Sequence, residues 1–265
     1  MVSSRCEPKS SAATVQHPNA SLSGRPGKSV RLHMNRLIAL DSAVHRPLRV
    51  DPAQVLAQAS QLNMLPVVLG EFLKLCVHYP ILLTKNGATG QFTCVALFGF
   101  EKQENLFWKQ GRWDALYIPL QVMRQPFFLA PGQDRMVCVD TMHAAVNRSL
   151  GDAIFDERGA ETAYLQQVKQ RLAALLEGEE QTDRFVRKLL ALELVRPMRL
   201  EIEFANHRKL RVEGLYTIDE ARLRVLAAEA IVTLHALEYL APIHTMLASL
   251  GHIYSLVQRR NECLR

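Results

Sequence analysis

The chain reads as an α+β protein with a mostly antiparallel sheet, and three observations predict it. Asn86-Gly87 lies between two apolar runs, ILLT and QFTCVALFG, where a tight β-hairpin needs residues that tolerate positive φ. MRLEIEF alternates strictly, Leu200, Ile202 and Phe204 against Arg199, Glu201 and Glu203, and KLRVEGLY answers with Leu210, Val212 and Tyr216, so a second hairpin has one wet face. Between the two hairpins apolar residues recur at helical spacing. The order helices, strand meander, helices, hairpin, helices points to α+β, with an N-terminal meander and a C-terminal hairpin packed by amphipathic helices.

The elements follow in order. Asp51-Pro52 starts a short helix to about Gln61, because Asp accepts orphan amides and Pro fits the first turn. A second helix is expected from near Pro66, with Val68, Leu69, Phe72, Leu73 and Cys76 on its apolar face, ending before Pro80. Glu71 then faces outward or caps a neighbour. After the Asn86-Gly87 hairpin, ENLFW, ALYIP and RMVCVD continue the meander to about five strands by Asp140, and 141–159 has no periodicity and reads as a loop. Helices are expected over Thr162 to Glu177 and Thr182 to Val195, stopped by Gly178 and Pro197. Helices from about Ile218 to Leu256 close the chain, broken at Pro242.

At 265 residues and 48% hydrophobic content the chain can bury a substantial core. Residues 1–33 carry five basic residues against one acidic residue, net +4, which leaves only +2 of the chain's +6 for the rest. A large phosphate-binding face is therefore not expected. The same 33 residues are rich in Ser, Pro and Gly, and read as a disordered, dispensable tail or as an extension upstream of a start at Met34. Residues 34–265 read as a single domain. No segment has the form of a signal-peptide core, and Glu229, His235, Glu238 and His244 interrupt the apolar C-terminal stretch, so no membrane span is expected. Five scattered cysteines without a CxxC pair imply reduced thiols and a cytoplasmic protein.

Local chemical motifs are sparse. SLSGRPGKS has too few residues between Gly24 and Gly27-Lys28-Ser29 for a phosphate loop, and no strand precedes it. There is no HExxH and no G-x-S-x-G. Asp41 and His45 are the nearest approach to a metal pair, with a hydrogen-bonded structural pair as the plainer reading. Thr217-Ile218-Asp219-Glu220 has the form of a capping box, which explains its two adjacent carboxylates without catalysis. Phe107, Trp108, Trp113, Tyr117, Phe127 and Phe128 either line a groove or fill the core.

A resemblance is carried by residues spread over nearly everything after Met34. YPI is Tyr79, Pro80 and Ile81; GxF is Gly90 and Phe92; ALxG is Ala96, Leu97 and Gly99; NLF is Asn105, Leu106 and Phe107. GxW is Gly111 and Trp113, YxP is Tyr117 and Pro119, and RxPF is Arg124, Pro126 and Phe127. Upstream stand Leu40, Asp41, His45, Leu48, Arg49, Val50, Asn63, Pro66, Glu71 and Phe72; downstream FDxxG (Phe155, Asp156, Gly159), Pro197-Met198, GxYxxDE (Gly214, Tyr216, Asp219, Glu220), Leu234-His235 and Ser249-Leu250. In order and spacing these resemble the SapC family, named after an S-layer-associated bacterial locus. The chain departs from the family pattern with Met123-Arg124 in place of a paired Arg, and with Asn206-His207 where the hairpin turn often has Asp-Gly.

The resemblance implies a bacterial protein connected with surface-layer or envelope processes, and names no reaction. The expected function is a non-enzymatic binding or accessory protein that needs no cofactor, binds no nucleic acid, and reaches the envelope through partners. The alternative is an enzyme with a polar pocket near Arg124 and Asp156, acting on an anionic or peptide-like substrate. Asn105, Trp113, Arg124 and Asp156 are the motif residues that packing explains least, and are the candidate binding residues. Arg124, just ahead of Pro126-Phe127, either aims its guanidinium at a carboxylate or phosphate or forms an internal ion pair with Asp156.

Overall fold

The computed structural model describes residues 12–14, 37–132 and 135–264. Its centre is an antiparallel sheet that runs, edge to edge, through β13 (Val195–Glu203), β14 (Lys209–Ile218), β5 (Ile81–Lys85), β6 (Phe92–Leu97) and β4 (Met64–Pro66). The two hairpins expected from the sequence are thus neighbours in one sheet, joined where Leu215 and Tyr216 face Thr84 and Leu83. β1 (Ala12–Thr14) lies parallel to Arg211–Glu213, beside the half of β14 that β5 leaves free. The other residues of the expected tail, 1–11 and 15–33, fall outside the described residues.

The first hairpin turns later than Asn86-Gly87. Lys85 pairs with Phe92, so the loop spans 86–91, and the positive φ falls on Gly90 at +72°. Asn86 stays central because its Oδ1 accepts the N–H groups of Ala88 and Thr89, closing the turn with a side chain. Beyond β6 the expected meander leaves this sheet. β7 (Trp108–Lys109) and β8 (Arg112–Trp113) form a small ribbon, while ALYIP leads without a strand into the one-turn helix α4 (Leu120–Met123). RMVCVD supplies β10 (Val137–Asp140), central in a separate sheet between β2 (Leu37–Ala39) and β9 (Phe127–Leu129). The expected loop 141–159 contains β11 (Val146–Asn147) and β12 (Asp152–Ala153), which flank β3 (Arg49–Val50).

After α1 (Ser42–His45), α2 (Pro52–Ala59) starts as the sequence indicates, Asp51 Oδ1 accepting Ala53 N–H at 2.9 Å. The helix expected from Pro66 is mostly absent. Met64 pairs with Leu97, Val67 N–H donates to Cys94 C=O, and only a 3-10 turn (Leu69–Glu71) and α3 (Phe72–Leu75) remain helical. Pairing with β6 overrides the apolar helical spacing.

A single 29-residue helix, α5 (Ala163–Ala191), replaces the two expected around Gly178. Its N-terminal half buries Leu165, Val168 and Leu172 in one apolar cluster with Val50, Phe127, Val139 and Ile154. Its C-terminal half buries Phe185, Val186 and Leu189 in the larger cluster on the central sheet. Gly178 is a point of close packing and not a stop: a Cβ there would lie 2.7 Å from Val68 Cβ. One turn on, Thr182 Oγ1 accepts Leu69 N–H at 2.8 Å, fixing the 3-10 turn to the helix.

The closing helices are α6 (Glu220–Arg224), α7 (Ala228–Ala236), α8 (Leu240–Ser249) and α9 (His252–Cys263). Pro242 sits in the first turn of α8, where its missing N–H costs nothing, so the breaks fall elsewhere: after Arg224, around Glu238 at φ +59°, and at Leu250-Gly251. The capping box also shifts. β14 extends to Ile218 by pairing with Val195, which holds Thr217 buried in the strand, and Asp219 becomes the N-cap, accepting Arg222 N–H at 3.0 Å. Glu220 pairs with Arg224 instead.

An exposed glycine inside a helix normally gains about 1 kcal/mol of stability on replacement by alanine. Gly178→Ala is expected to lose about 1–3 kcal/mol in urea unfolding, because the new methyl collides with Val68. A gain would show that the 3-10 turn is not held against α5.

Candidate functional site

Buried Glu71 and Tyr79 join the partly buried Trp113 and Tyr117 in one connected chain of hydrogen bonds. Trp113 Nε1–H donates to Tyr79 Oη at 2.7 Å, and the Tyr79 hydroxyl donates to Tyr117 C=O at 2.6 Å. The Tyr117 hydroxyl donates to Glu71 Oε1 at 3.0 Å. The same oxygen takes Leu120 N–H at 2.7 Å, and Oε2 takes Val68 N–H at 3.3 Å. Each member is placed by its local structure. Glu71 ends the 3-10 turn that Thr182 holds to α5, Tyr79 precedes β5, Trp113 ends the β7–β8 ribbon, and extended Pro119 turns Leu120 N–H toward Glu71. Ring packing fixes the orientation: Tyr79 stands 4.5 Å from Phe107 and 5.3 Å from Phe98, which meets Trp113 edge to face at 5.4 Å.

Electrostatics follow from burial. Desolvation pushes the Glu71 carboxyl above the usual carboxylate range, opposed by the Leu120 and Val68 amides, the Tyr117 hydroxyl and the Lys74 charge. Burial also raises the Tyr79 and Tyr117 phenols, Tyr117 further because it faces Glu71. Neither phenol is therefore poised as a base near neutrality. A carboxylate offers about four lone-pair sites. Two on Oε1 and one on Oε2 are taken, so the group holds segments together and keeps little capacity to spare. Above it lies a cleft of about 410 Å³ lined by Glu71, Lys74, Tyr117, Gln167, Gln170 and Arg171. Arg171 is tied to Met123 C=O at 3.2 Å, and Lys74 Nζ stands 5.5 Å from the Tyr117 ring centre.

The four candidate residues lie on separate errands. Asn105 is buried, donating to Ala59 C=O and accepting Phe107 N–H, both at 2.9 Å, which ties its loop to the end of α2. Trp113 heads the hydrogen-bonded chain. Arg124 donates to Phe127 C=O at 2.8 Å and Gln121 Oε1 at 2.6 Å, and its guanidinium lies 4.3 Å from the Phe128 ring centre. Burial lowers its pKa to about 10, with Glu179 opposing. Asp156 folds on itself, accepting Arg158 and Ala160 N–H at 2.9 and 2.8 Å. The hydrogen bonds of Arg124 and Asp156 go to different partners, and the two side chains form no ion pair with each other.

Asp41 and His45 meet through the backbone: His45 Nδ1 takes Asp41 N–H at 3.0 Å, while the Asp41 carboxylate caps Ala43 N–H at 2.8 Å. That is the structural form of the pair. Among the described residues no group of three or more His, Cys, Asp and Glu is placed to hold a metal ion. Asp41 does line a second, wider cleft of about 670 Å³ with Leu40, Ser42, Phe155, Gly159 and Lys169. Cys94 and Cys138 behave as core hydrophobes, burial raising both thiols, Cys94 to about 12.

Glu71, Tyr79 and Tyr117 were not among the candidates, though a signal was present. Each places one polar group inside an apolar run, and a buried polar group needs a partner. Because Glu71 has a raised folded-state pKa, its contribution to stability is complete below about 4.5, the value of an exposed glutamate, and is lost as pH rises through the folded value. Glu71→Gln is expected to flatten that decline in urea unfolding measured from acid to neutral pH. Wild-type and variant curves that run parallel would contradict the assignment.

The family-model comparison matches SapC over residues 40–256. No curated protein and no solved structure matches the chain. The matched span contains Glu71, Tyr79, Trp113 and Tyr117 together with both hairpins and α5, and covers more than half of the sequence; the chain belongs to the SapC family.

Proposed function

We propose that this protein is a non-enzymatic binding or accessory protein that serves surface-layer or envelope processes through a partner. The observation that carries this reading is an apolar surface beside the Glu71 network. Leu116 is 87% exposed, Leu73 is 73% exposed and Val77 is 52% exposed. Leu73 lies in α3 and Val77 in the turn that follows it, and Leu116 N–H is bonded to His78 Nε2 at 3.2 Å, which brings the loop to that turn. Large apolar side chains held in fixed positions suit a protein partner. Asn105, Trp113, Arg124 and Asp156 make their hydrogen bonds inside the fold, which supports a scaffolding role for these family residues.

The reading retains a cytoplasmic protein without cofactor, nucleic acid or membrane span. Leu240–Cys263 is long and apolar enough, by length and composition, to cross a membrane. The segment breaks into two helices at Leu250-Gly251, buries Ile243, Met246 and Leu256, and accepts Ile81 N–H at Ser249 Oγ at 2.9 Å, which supports packing on the core over a membrane span. The enzymatic alternative draws support from a different place than Arg124 and Asp156. The cleft over Glu71, with Lys74 and Arg171 at its sides, suits an anionic or peptide-like ligand.

Affinity capture from native extract separates the two. Wild-type protein is expected to retain envelope or surface-layer proteins that a Leu73→Asp, Leu116→Asp variant loses, while Lys74→Glu retains them. Capture unaffected by the apolar changes would overturn the partner reading, and loss confined to Lys74→Glu would move the function to the cleft.

A further inference from the structure

β13 is an outer strand: among the described residues it pairs only with β14. Two hydrogen bonds fix which of its backbone groups face outward. Asp219 N–H donates to Leu194 C=O at one end and Phe204 N–H to Arg208 C=O at the other, so even-numbered residues address β14 and odd-numbered residues present N–H and C=O to the open edge. Pro197, which has no N–H to give, falls on an outward position, where an edge strand tolerates it.

An open edge is a template for another strand, which natural edges commonly guard against with charges, Pro or a bulge; on β13 Pro197 and the register irregularity between Met198 and Leu200 leave the stretch from Arg199 to Glu203 as the regular part of that edge. The charges there are of both signs. Arg199 and Glu201 project from the solvent face with Leu200 between them, buried on the other face. Antiparallel pairing of two copies centred on Leu200 sets Arg199 of each against Glu201 of the other, and both are outward positions that exchange backbone hydrogen bonds. Sliding by two residues in either direction sets Arg199 against Arg199 or Glu201 against Glu201, which is destabilising. Cross-strand neighbours extend the match. Glu201 pairs with Arg211 on β14, and Arg199 Nε lies 3.4 Å from Glu213. The row Arg211, Glu201, then Arg199 and Glu213 of the second copy alternates in sign across the junction.

We propose that the β13 edge is a self-association surface on which a second copy of this chain adds its own β13 antiparallel about Leu200, joining the two central sheets. The interaction is independent of the partner surface at Leu73 and Leu116.

Sedimentation of the full chain over a concentration series tests it. Wild-type protein is expected to pass from monomer to dimer, and Glu201→Arg to weaken association by at least about fivefold, since each two-fold contact then opposes two cations. The double change Arg199→Glu with Glu201→Arg restores opposite charges and should restore the dimer. An Arg199→Cys, Glu201→Cys variant at these two exposed positions, made with Cys6 and Cys263 changed to Ser, should form intermolecular disulfides between copies under mild oxidation. A chain that stays monomeric up to millimolar concentration, whatever else occupies the edge, overturns the proposal. So does a dimer that ignores the charge changes and fails to cross-link.

Discussion

A carboxylate taken out of water costs several kcal/mol unless donors fill its lone pairs, and Glu71 draws those donors from Val68, Tyr117 and Leu120, on two segments far apart in sequence. The 3-10 turn must therefore stay where Thr182 and Gly178 hold it, and the Asp114–Pro119 loop must arrive with Tyr117 and Leu120 already oriented. Tyr79 and Trp113 supply that orientation from β5 and from the ribbon. Displacing one of these segments would leave a buried charge or an orphaned amide, which makes their arrangement close to all-or-none.

Helix α5 passes this constraint to the rest of the molecule. Its two halves bury Leu165 and Val168 in one cluster and Phe185 and Leu189 in the other, so the 3-10 turn docks where both cores are spanned by one rigid element. Full burial of such side chains stabilises by about 1.5–3 kcal/mol each. The small surface of Gly178 is what allows the turn to approach closely enough for Leu69 N–H to reach Thr182.

Features whose cause is local were legible in the sequence. Asp51 capping α2 and the alternation of β13 against β14 depend on neighbouring residues alone. Features decided by distant partners were not. Met64–Pro66 is a strand because β6 is beside it, Thr217 is in a strand because Arg196 pairs with it, and Gly178 ends no helix because Val68 fills the space above it. Glu71 illustrates the same limit at the site. The sequence allowed it to face outward or to cap a neighbour, and its role as the cap of α4 required Leu120 to be brought across 49 residues. Asn105, Trp113, Arg124 and Asp156 stood out because of their polarity, and polarity alone does not distinguish a ligand contact from a backbone contact inside the fold.

If the family residues around Glu71 form a scaffold, the loop that exposes Leu116 is rigid and its apolar side chains form a fixed surface. Tyr79→Phe is the most direct test, since it deletes only the hydroxyl that links Trp113 to Tyr117 while the ring stays packed. Unfolding should show a loss of about 1–3 kcal/mol, and amide exchange should accelerate more over residues 114–123 than in β5 and β6, whose exchange rises only with the loss of global stability. Wild-type stability and unaltered exchange across that loop would contradict the account.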